Sequence, residues 1–226
     1  MNETIVYYSY SPKGIVSGKE PSKALKQFLG DNVPFLKCPV YKDAMKNVFS
    51  VGSWFNLKLN VDENGLSADV PQSFMDEYIF THSNKHKIYQ LFQTVIFIAK
   101  DDSLKITMEH PVMSDNSFSN SCSIINGTFD IGKYFRLISP AFYINKGVNS
   151  VSIKEGDALY YLRFHTEKKI KFVPFFMSEE YDHIAKSVKS SVDQISSNKS
   201  MDLFYKIFKK QKIKKLLLKE IKANLL

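Results

Sequence analysis

The sequence predicts a mainly β fold, namely an antiparallel β-sandwich or jelly-roll-like body followed by C-terminal α-helices. Short apolar runs bounded by turn residues fill residues 1–176, and no helical run of about 10 to 15 residues separates the later ones. Long stretches of apolar residues at spacings of three and four occur only after that point. We therefore divide the chain into a β body, residues 1–176, and a helical segment, residues 177–226, which ends in a basic amphipathic tail.

The composition bounds the class of protein. With 226 residues, 44% of them hydrophobic and 14% aromatic, the chain has enough apolar material to bury a core, unlike a disordered protein. No run approaches the roughly 18 apolar residues that a membrane-spanning helix needs. The N-terminus lacks the basic and apolar regions of an export signal. We expect a protein that has no transmembrane segment and is not secreted.

The first 70 residues alternate short apolar runs with turn residues. Asn64 and Gly65 predict a hairpin that joins residues 54–61 to residues 66–70, because both residues tolerate positive φ. Residues 22–29 have the spacing of a short helix that Ser22 can cap. Strands are predicted over residues 4–10, 48–51 and 54–61.

The region from Tyr78 to Phe176 carries the densest strand signal. Eight β-like runs fall within about a hundred residues, which favours an antiparallel sandwich or barrel over βαβ units. Their sequences are EYIFTH, KIYQLFQTVIFIAK, LKITMEH, SCSIINGTFDI, FRLISPAFYI, NSVSIK, ALYYLRFH and KKIKFVPFF.

A turn at residues 155–157 (EGD) separates the run NSVSIK from the run ALYYLRFH. This corner is similar to one that precedes the metal-binding histidines of cupins, but the cupin set of closely spaced ligands is missing. The histidines stand singly, at His82, His86, His110, His165 and His183. A cupin-like or nucleotide-acting enzyme stays an alternative that requires ligands to converge from distant strands.

Three short motifs occur in a characteristic order: PFLKCPVYKDAMKNVF at residues 34–49, GTFDIGKYFR at residues 127–136, and EGDALYYLRF at residues 155–164. In this order they resemble uncharacterised proteins of large tailed bacteriophages, marine ones included, over roughly residues 30 to 180. The resemblance implies a viral origin and a setting in the host cytoplasm or the virion. It carries over no active site.

We predict no catalytic residues, no metal site and no cofactor. His82 and His86 are four residues apart, as metal ligands on a helix are, but the residues between them favour a hairpin loop. Glu109 and His110 are adjacent, and neighbouring residues of a strand point to opposite faces, which argues against an acid–base dyad.

Cys38 and Cys122 are the only cysteines. Two cysteines are too few for a disulfide framework or a four-thiolate metal site, so we expect reduced structural thiols. Trp54 is the only tryptophan. We expect it to be a core anchor, and the weaker alternative is a stacking platform for bases or sugars.

The helical segment has two parts. Ser178 caps the first helix, in which apolar residues recur from Tyr181 to Ile195. Ser200 caps a second one, with apolar residues from Leu203 to Leu225 opposite the lysines. The last 28 residues hold nine lysines against two acidic residues, which is a net charge of +7 out of +8 for the whole chain.

This tail is the one candidate interaction surface, and its sequence leaves three interpretations open. The lysines form a solvated helix face, or they bind nucleic-acid phosphates without base specificity, or the apolar side binds a partner helix in an oligomer or a viral assembly. The candidate phosphate-binding residues are Lys206, Lys209, Lys210, Lys212, Lys214, Lys215, Lys219 and Lys222. The candidate partner face consists of Leu203, Ile207, Phe208, Leu217 and Ile221.

The function that we favour from the sequence is that of a non-enzymatic phage accessory or structural protein, which acts through protein–protein contacts or self-association. Sequence-independent nucleic-acid binding by the tail is the first alternative, and the distant-ligand enzyme is the second. Exposed tail leucines would favour a protein partner, and buried leucines beneath a continuous row of lysines would favour nucleic acid.

Overall fold

The structure of the protein, a computed structural model, describes residues 3–9, 33–92, 96–133, 136–181, 183–184 and 212–226. The helix predicted at residues 22–29 and the stretch from residue 185 to residue 211 lie outside the described residues. The described part of the chain is mainly β, with several antiparallel sheets and a few helices. This confirms the predicted mainly β class, and the sandwich or jelly-roll arrangement stays a prediction. No described helix is long and apolar enough to cross a membrane.

The described strands are β1 (Glu3–Ser9), β2 (Val48–Gly52), β3 (Leu57–Val61), β4 (Leu66–Ala68), β5 (Ile79–Ser83), β6 (Ile88–Leu91), β7 (Ile96–Ala99), β8 (Ile106–Glu109), β9 (Cys122–Ile124), β10 (Gly127–Phe129), β11 (Arg136–Leu137), β12 (Ala141–Ile144), β13 (Ser150–Ile153), β14 (Ala158–Phe164) and β15 (Lys169–Phe175). The described helices are α1 (Pro34–Lys37), α2 (Pro39–Ala44), α3 (Gln72–Tyr78), α4 (Ser117–Ser121) and α5 (Ile213–Ala223).

These strands form four small sheets. Their strand orders are β11-β7-β1-β15, β10-β8-β14-β2, β5-β6-β12-β9 and β13-β3-β4. The pairing of β1 with β15 is parallel, and the other pairings among the described strands are antiparallel. Strand β15 is the last strand of its sheet, and near Phe175 residues 224–226 of the chain pair with its outer edge.

The eight predicted β-like runs correspond to eleven strands, because three of the runs change sheet in their middle. One run contains both β6 and β7, a second contains β9 and β10, and a third contains β11 and β12. In each case the two strands belong to different sheets. The sequence interpretation merged each pair of strands, although turn residues stand at the junction of two of the pairs, Asn126-Gly127 and Ser139-Pro140.

The hairpin predicted around Asn64 and Gly65 is confirmed, since β3 and β4 pair in antiparallel register. Its turn differs from the expected one, because only Gly65 has a positive φ, at 132°. The Asp62 side chain closes the turn by accepting hydrogen bonds from the backbone N–H groups of Asn64 and Gly65 at 2.7 and 3.0 Å.

Helices α1, α2 and α3 lie in regions where strand and turn signals dominated the prediction. All three are seven residues or shorter, too short for an apolar period to be recognised in the sequence. A proline lies at or just before the first residue of each of these helices. Pro34 and Pro39 occupy the first turns of α1 and α2, and Pro71 precedes α3.

The two central strands of sheet β11-β7-β1-β15, β7 and β1, have buried residues on both faces. Along β1, Val6 belongs to the larger hydrophobic core, and its neighbour Tyr7 belongs to a smaller second one. All four residues of β7 are buried for the same reason, since Phe97 faces the larger core and Ile98 the smaller one. The larger core contains residues from strands of all four sheets, and the smaller core lies between this sheet and α5.

Candidate functional site

Helix α5 begins at Ile213, directly after a residue whose backbone has the left-handed conformation. Lys212 has φ 53° and ψ 21°, a conformation that an α-helix cannot continue through. The sequence predicted one helix running from Ser200 past Leu217, and the structure corrects this, because the described helix is a separate element of 11 residues. The residues before Lys212 lie outside the described part.

The apolar side of α5 packs on the chain's own sheet. Ile213, Leu217 and Ile221 are buried, at intervals of four residues that place them on one side of the helix. They form the smaller core with buried residues of the sheet and its flanking segment, namely Tyr7, Ile96, Ile98, Phe175 and Tyr181.

This packing corrects the predicted partner face for two of its members. Leu217 and Ile221 have no exposed surface, so they are not free to bind a partner helix. Leu216, which the sequence grouped with the apolar side, is instead 53% exposed and lies about 100° around the helix axis from Leu217. The other members of that face, Leu203, Ile207 and Phe208, lie outside the described residues.

Lys214 does not belong to the exposed lysine face. Its side chain is only 15% exposed, and its ammonium group forms an ion pair with Asp102. The same group donates hydrogen bonds to the backbone oxygens of Lys100 and Gly132. Lys214 therefore fastens the start of α5 to two loops of the β body, and this corrects its assignment as a phosphate-binding residue.

Four other lysines of the tail form a continuous exposed row, which we call the lysine stripe. Lys212, Lys215, Lys219 and Lys222 are all exposed. Lys215, Lys219 and Lys222 lie four and three residues apart, which keeps them within one narrow sector of α5, because each residue of a helix advances about 100° around the axis. Lys212 lies directly before the first turn of the helix. The helical part of the stripe, from Lys215 to Lys222, is about 10 Å long at 1.5 Å per residue. It points away from the buried row.

The single acidic residue of α5, Glu220, is engaged in local hydrogen bonds. Its Oε1 accepts from Ser178 Oγ at 2.8 Å and from Asn224 Nδ2 at 2.9 Å. Position 220 is also rotated away from the sector of the lysines. No carboxylate of the helix therefore lies within the stripe. The remaining candidates, Lys206, Lys209 and Lys210, lie outside the described residues.

Trp54 is part of an aromatic cluster. Its ring makes edge contacts with Phe55 and Tyr78, with ring centroids 4.9 and 5.1 Å apart, and it packs against the larger core. These contacts support a core-anchor role and not a stacking platform. The indole Nε1 is buried and has no hydrogen-bond partner among the described residues.

The histidines form no metal site within the described part of the chain. His82 belongs to β5 and His86 to the turn before β6, which confirms the hairpin between them. His82 Nε2 lies 3.2 Å from Gln90 Oε1. His165 Nε2 lies 2.6 Å from Thr107 Oγ1, which in turn lies 2.9 Å from Thr128 Oγ1. No group of three or more potential ligands occurs among the described residues.

Glu109 is the last residue of β8, and His110 lies directly after the strand, so the rule that neighbouring strand residues point to opposite faces does not apply to this pair. The Glu109 carboxylate pairs with Arg163. Burial lowers the pKa of His110, because a buried imidazole is harder to charge. Both thiols are free, with Cys38 exposed and Cys122 buried. Burial raises the pKa of Cys122 to about 12, so its thiol is not activated as a nucleophile.

Comparison with known proteins gives no match: no protein family, no curated protein and no solved structure is found to be similar to this chain. The resemblance to bacteriophage proteins therefore stays a prediction from the three sequence motifs.

Proposed function

We propose that this protein binds nucleic acid without sequence specificity, through the lysine stripe of α5. The observation that carries the proposal is the orientation of the helix, which buries Leu217 and Ile221 and exposes Lys212, Lys215, Lys219 and Lys222. Because the buried row is already occupied, the exposed lysines are the groups that α5 offers to an anionic ligand.

The chemistry of the stripe fits a phosphate backbone. Lysine ammonium groups are mobile point charges that contact phosphates without reading bases, and no aromatic residue of α5 is available for stacking. Each neutralised phosphate releases a counterion. Four contacts to duplex DNA would therefore give a slope of log affinity against log salt of roughly −3 to −4.

The test is a titration of duplex DNA, single-stranded DNA and RNA against the full chain at low and moderate salt. The test variant replaces Lys215, Lys219 and Lys222 with glutamine. The control variant replaces Lys58, Lys85 and Lys154, which are exposed residues of the β body, so both variants lose the same charge. We expect the test variant to bind at least tenfold more weakly and with a smaller salt slope, and the control to bind nearly as wild type. Equal losses in both variants would mean that only net charge matters.

A second candidate function is association with another protein, as in a phage assembly. It is favoured by four apolar side chains at the C-terminal end, which are between 44% and 54% exposed: Phe176, Met177, Leu225 and Leu226. Backbone hydrogen bonds hold the two segments together, since Phe176 N–H donates to Asn224 O at 2.9 Å and Leu226 N–H to Pro174 O at 3.3 Å. Exposed apolar groups that lie together are typical of protein contact sites.

The test of this second candidate is the oligomeric state of the full chain and of a variant with Phe176→Ser and Leu226→Ser, measured by light scattering. An oligomer that the double substitution dissociates would support it. A monomer in both cases would leave nucleic acid as the proposed ligand. The proposed setting for either function is the host cytoplasm or the virion, in line with the sequence resemblance.

A further inference from the structure

A second basic feature lies on the β body, in a groove between α2 and the turn that joins β14 to β15. The groove has a volume of about 670 Å³. Its lining includes four lysines: Lys42 in α2, Lys46 just after it, Lys168 in the β14–β15 turn and Lys169 at the start of β15. Pro39 and Met45 contribute apolar surface to the same groove.

Hydrogen bonds hold the two walls of this lysine groove at a fixed separation. Asn47, in a left-handed conformation with φ 54°, donates from its side-chain Nδ2 to the backbone oxygens of Thr166 and Lys168 at 2.7 and 3.0 Å. Its own backbone oxygen accepts from Phe164 N–H at 2.9 Å. Arg163 in addition donates to the oxygen of Ala44 at the end of α2. A ligand would therefore meet walls that are already in position.

The groove lining holds four lysines against two acidic residues, Asp43 and Glu167, so its positive charge is only partly compensated. Two of the four lysines are in ion pairs, Lys46 with Glu167 and Lys168 with Asp101, the latter at 3.8 Å. Lys42 and Lys169 have no ion pair with any described residue. Glu167 is 90% exposed, so a stronger anion can displace it into water at little cost.

We propose that the lysine groove binds a small phosphorylated molecule of nucleotide size. The ammonium groups would contact the phosphate, and the apolar wall at Pro39 and Met45 would pack against the uncharged part. The volume lies within the range of about 300 to 1,000 Å³ that is usual for small-molecule sites. This site is separate from the lysine stripe and does not depend on nucleic-acid binding.

The experiment is a calorimetric titration of the full chain with ATP, AMP and inorganic phosphate, with adenosine as the uncharged comparison. The test variant carries Lys42→Gln and Lys169→Gln. The matched control carries Lys58→Gln and Lys154→Gln, which line a smaller cavity elsewhere on the body. A third variant carries the three substitutions in the lysine stripe. Because all of these side chains are exposed, thermal unfolding is expected to be unchanged and serves as the folding check.

We expect AMP or ATP to bind wild type, the control and the stripe variant alike, and to bind the groove variant at least tenfold more weakly. Adenosine should not bind measurably. The proposal is overturned if none of the phosphorylated probes binds wild type, or if the groove variant and the control lose the same affinity. Loss of affinity only in the stripe variant would assign the phosphate site to α5 and would also overturn it. The comparison with the stripe variant separates failure of this proposal from failure of nucleic-acid binding.

Discussion

Arg163 and Glu109 lie on the neighbouring strands β14 and β8 and form a two-bond ion pair. Arg163 Nε donates to Oε1 of Glu109 at 2.6 Å, and its terminal nitrogen donates to Oε2 at 2.9 Å. Both side chains are only about a quarter exposed, at 29% and 26%. The guanidinium also donates to the Ala44 oxygen, so one residue connects two strands to the end of α2.

Replacement of Glu109 by glutamine should lower the free energy of unfolding by about 1–3 kcal/mol, because it leaves a half-buried guanidinium without its counter-charge. Arg163→Lys should also destabilise, since an ammonium group cannot form the same fork of hydrogen bonds. Urea denaturation measures both changes. Glu167→Gln, which breaks an exposed pair, is the control and should leave the unfolding midpoint close to wild type. A Glu109→Gln protein as stable as wild type would show that the pair does not contribute.

Lys214 and Lys215 are adjacent but should respond in opposite ways to substitution. Lys214→Gln removes an ammonium group with three oxygen partners, and it should cost about 1–3 kcal/mol of unfolding free energy. Lys215 is exposed, so Lys215→Gln should change that free energy by less than about 0.5 kcal/mol. Nucleic-acid affinity should show the reverse order, with the larger loss for Lys215→Gln. Similar stability losses in both variants would contradict the anchoring role of Lys214.

Leu216 and Leu217 are neighbours in α5 that differ in burial, so alanine substitutions at the two positions test whether the helix packs by its apolar side. Leu217 is fully buried and Leu216 is 53% exposed. Leu217→Ala should lower the free energy of unfolding by about 2–5 kcal/mol, because it leaves a cavity between α5 and the sheet. Leu216→Ala should change it by less than about 0.5 kcal/mol. Chemical denaturation measures both. If the two costs were equal, α5 would not be docked by its apolar side in solution.

The two thiols should differ in reactivity. Cys38 is exposed, whereas Cys122 is 1% exposed and its pKa is raised to about 12 by burial. At pH 8 only a minute fraction of Cys122 is thiolate, the nucleophilic form. Mass spectrometry after iodoacetamide treatment should find one alkylated cysteine in the folded protein and two in denaturant. Cys38→Ser should leave the folded protein unlabelled, and rapid labelling of that variant would mean that Cys122 is accessible.

Alkaline pH should destabilise the protein through buried phenols and the buried thiol. Burial raises the pKa of Tyr161 to about 12, whereas an unfolded tyrosine titrates near 10. Above pH 10 the unfolded state therefore loses the proton first, and stability falls as pH rises towards 12. Denaturation at several pH values between 8 and 11.5 measures this slope. Tyr161→Phe should be less stable at pH 8, because it loses the hydrogen bond to the Val112 oxygen, but its slope should be shallower. An unchanged slope would assign the effect to other groups.

The local features of the fold were predicted well from the sequence. The hairpin at Gly65, the strands on either side of Gly156 and the hairpin between His82 and His86 all follow from turn residues between apolar runs. What could not be predicted is which sheet each strand joins. The run that contains β6 and β7 resembles one strand-like stretch in the sequence, although the two strands belong to different sheets.

The sequence predicted which residue types the candidate site contains, but not which individual side chains face solvent. The tail sequence indicated an amphipathic helix with lysines opposite leucines, and α5 has that form. The sequence could not separate Lys214 from Lys215, because both are lysines at adjacent positions. The left-handed conformation of Lys212 also had no signal, since lysine has no preference for it.

The sequence by itself determined the properties that depend on neighbours along the chain: the β class of the body, its turns, the helical periodicity of the tail and the concentration of charge there. Only the tertiary structure decided that α5 buries Leu217 against the sheet and that Lys214 points to Asp102, 112 residues away. It also decided that β1 pairs with β15. The physical reason is that such contacts join residues distant in sequence, and their partners are selected by the packing of the whole molecule, not by local preference.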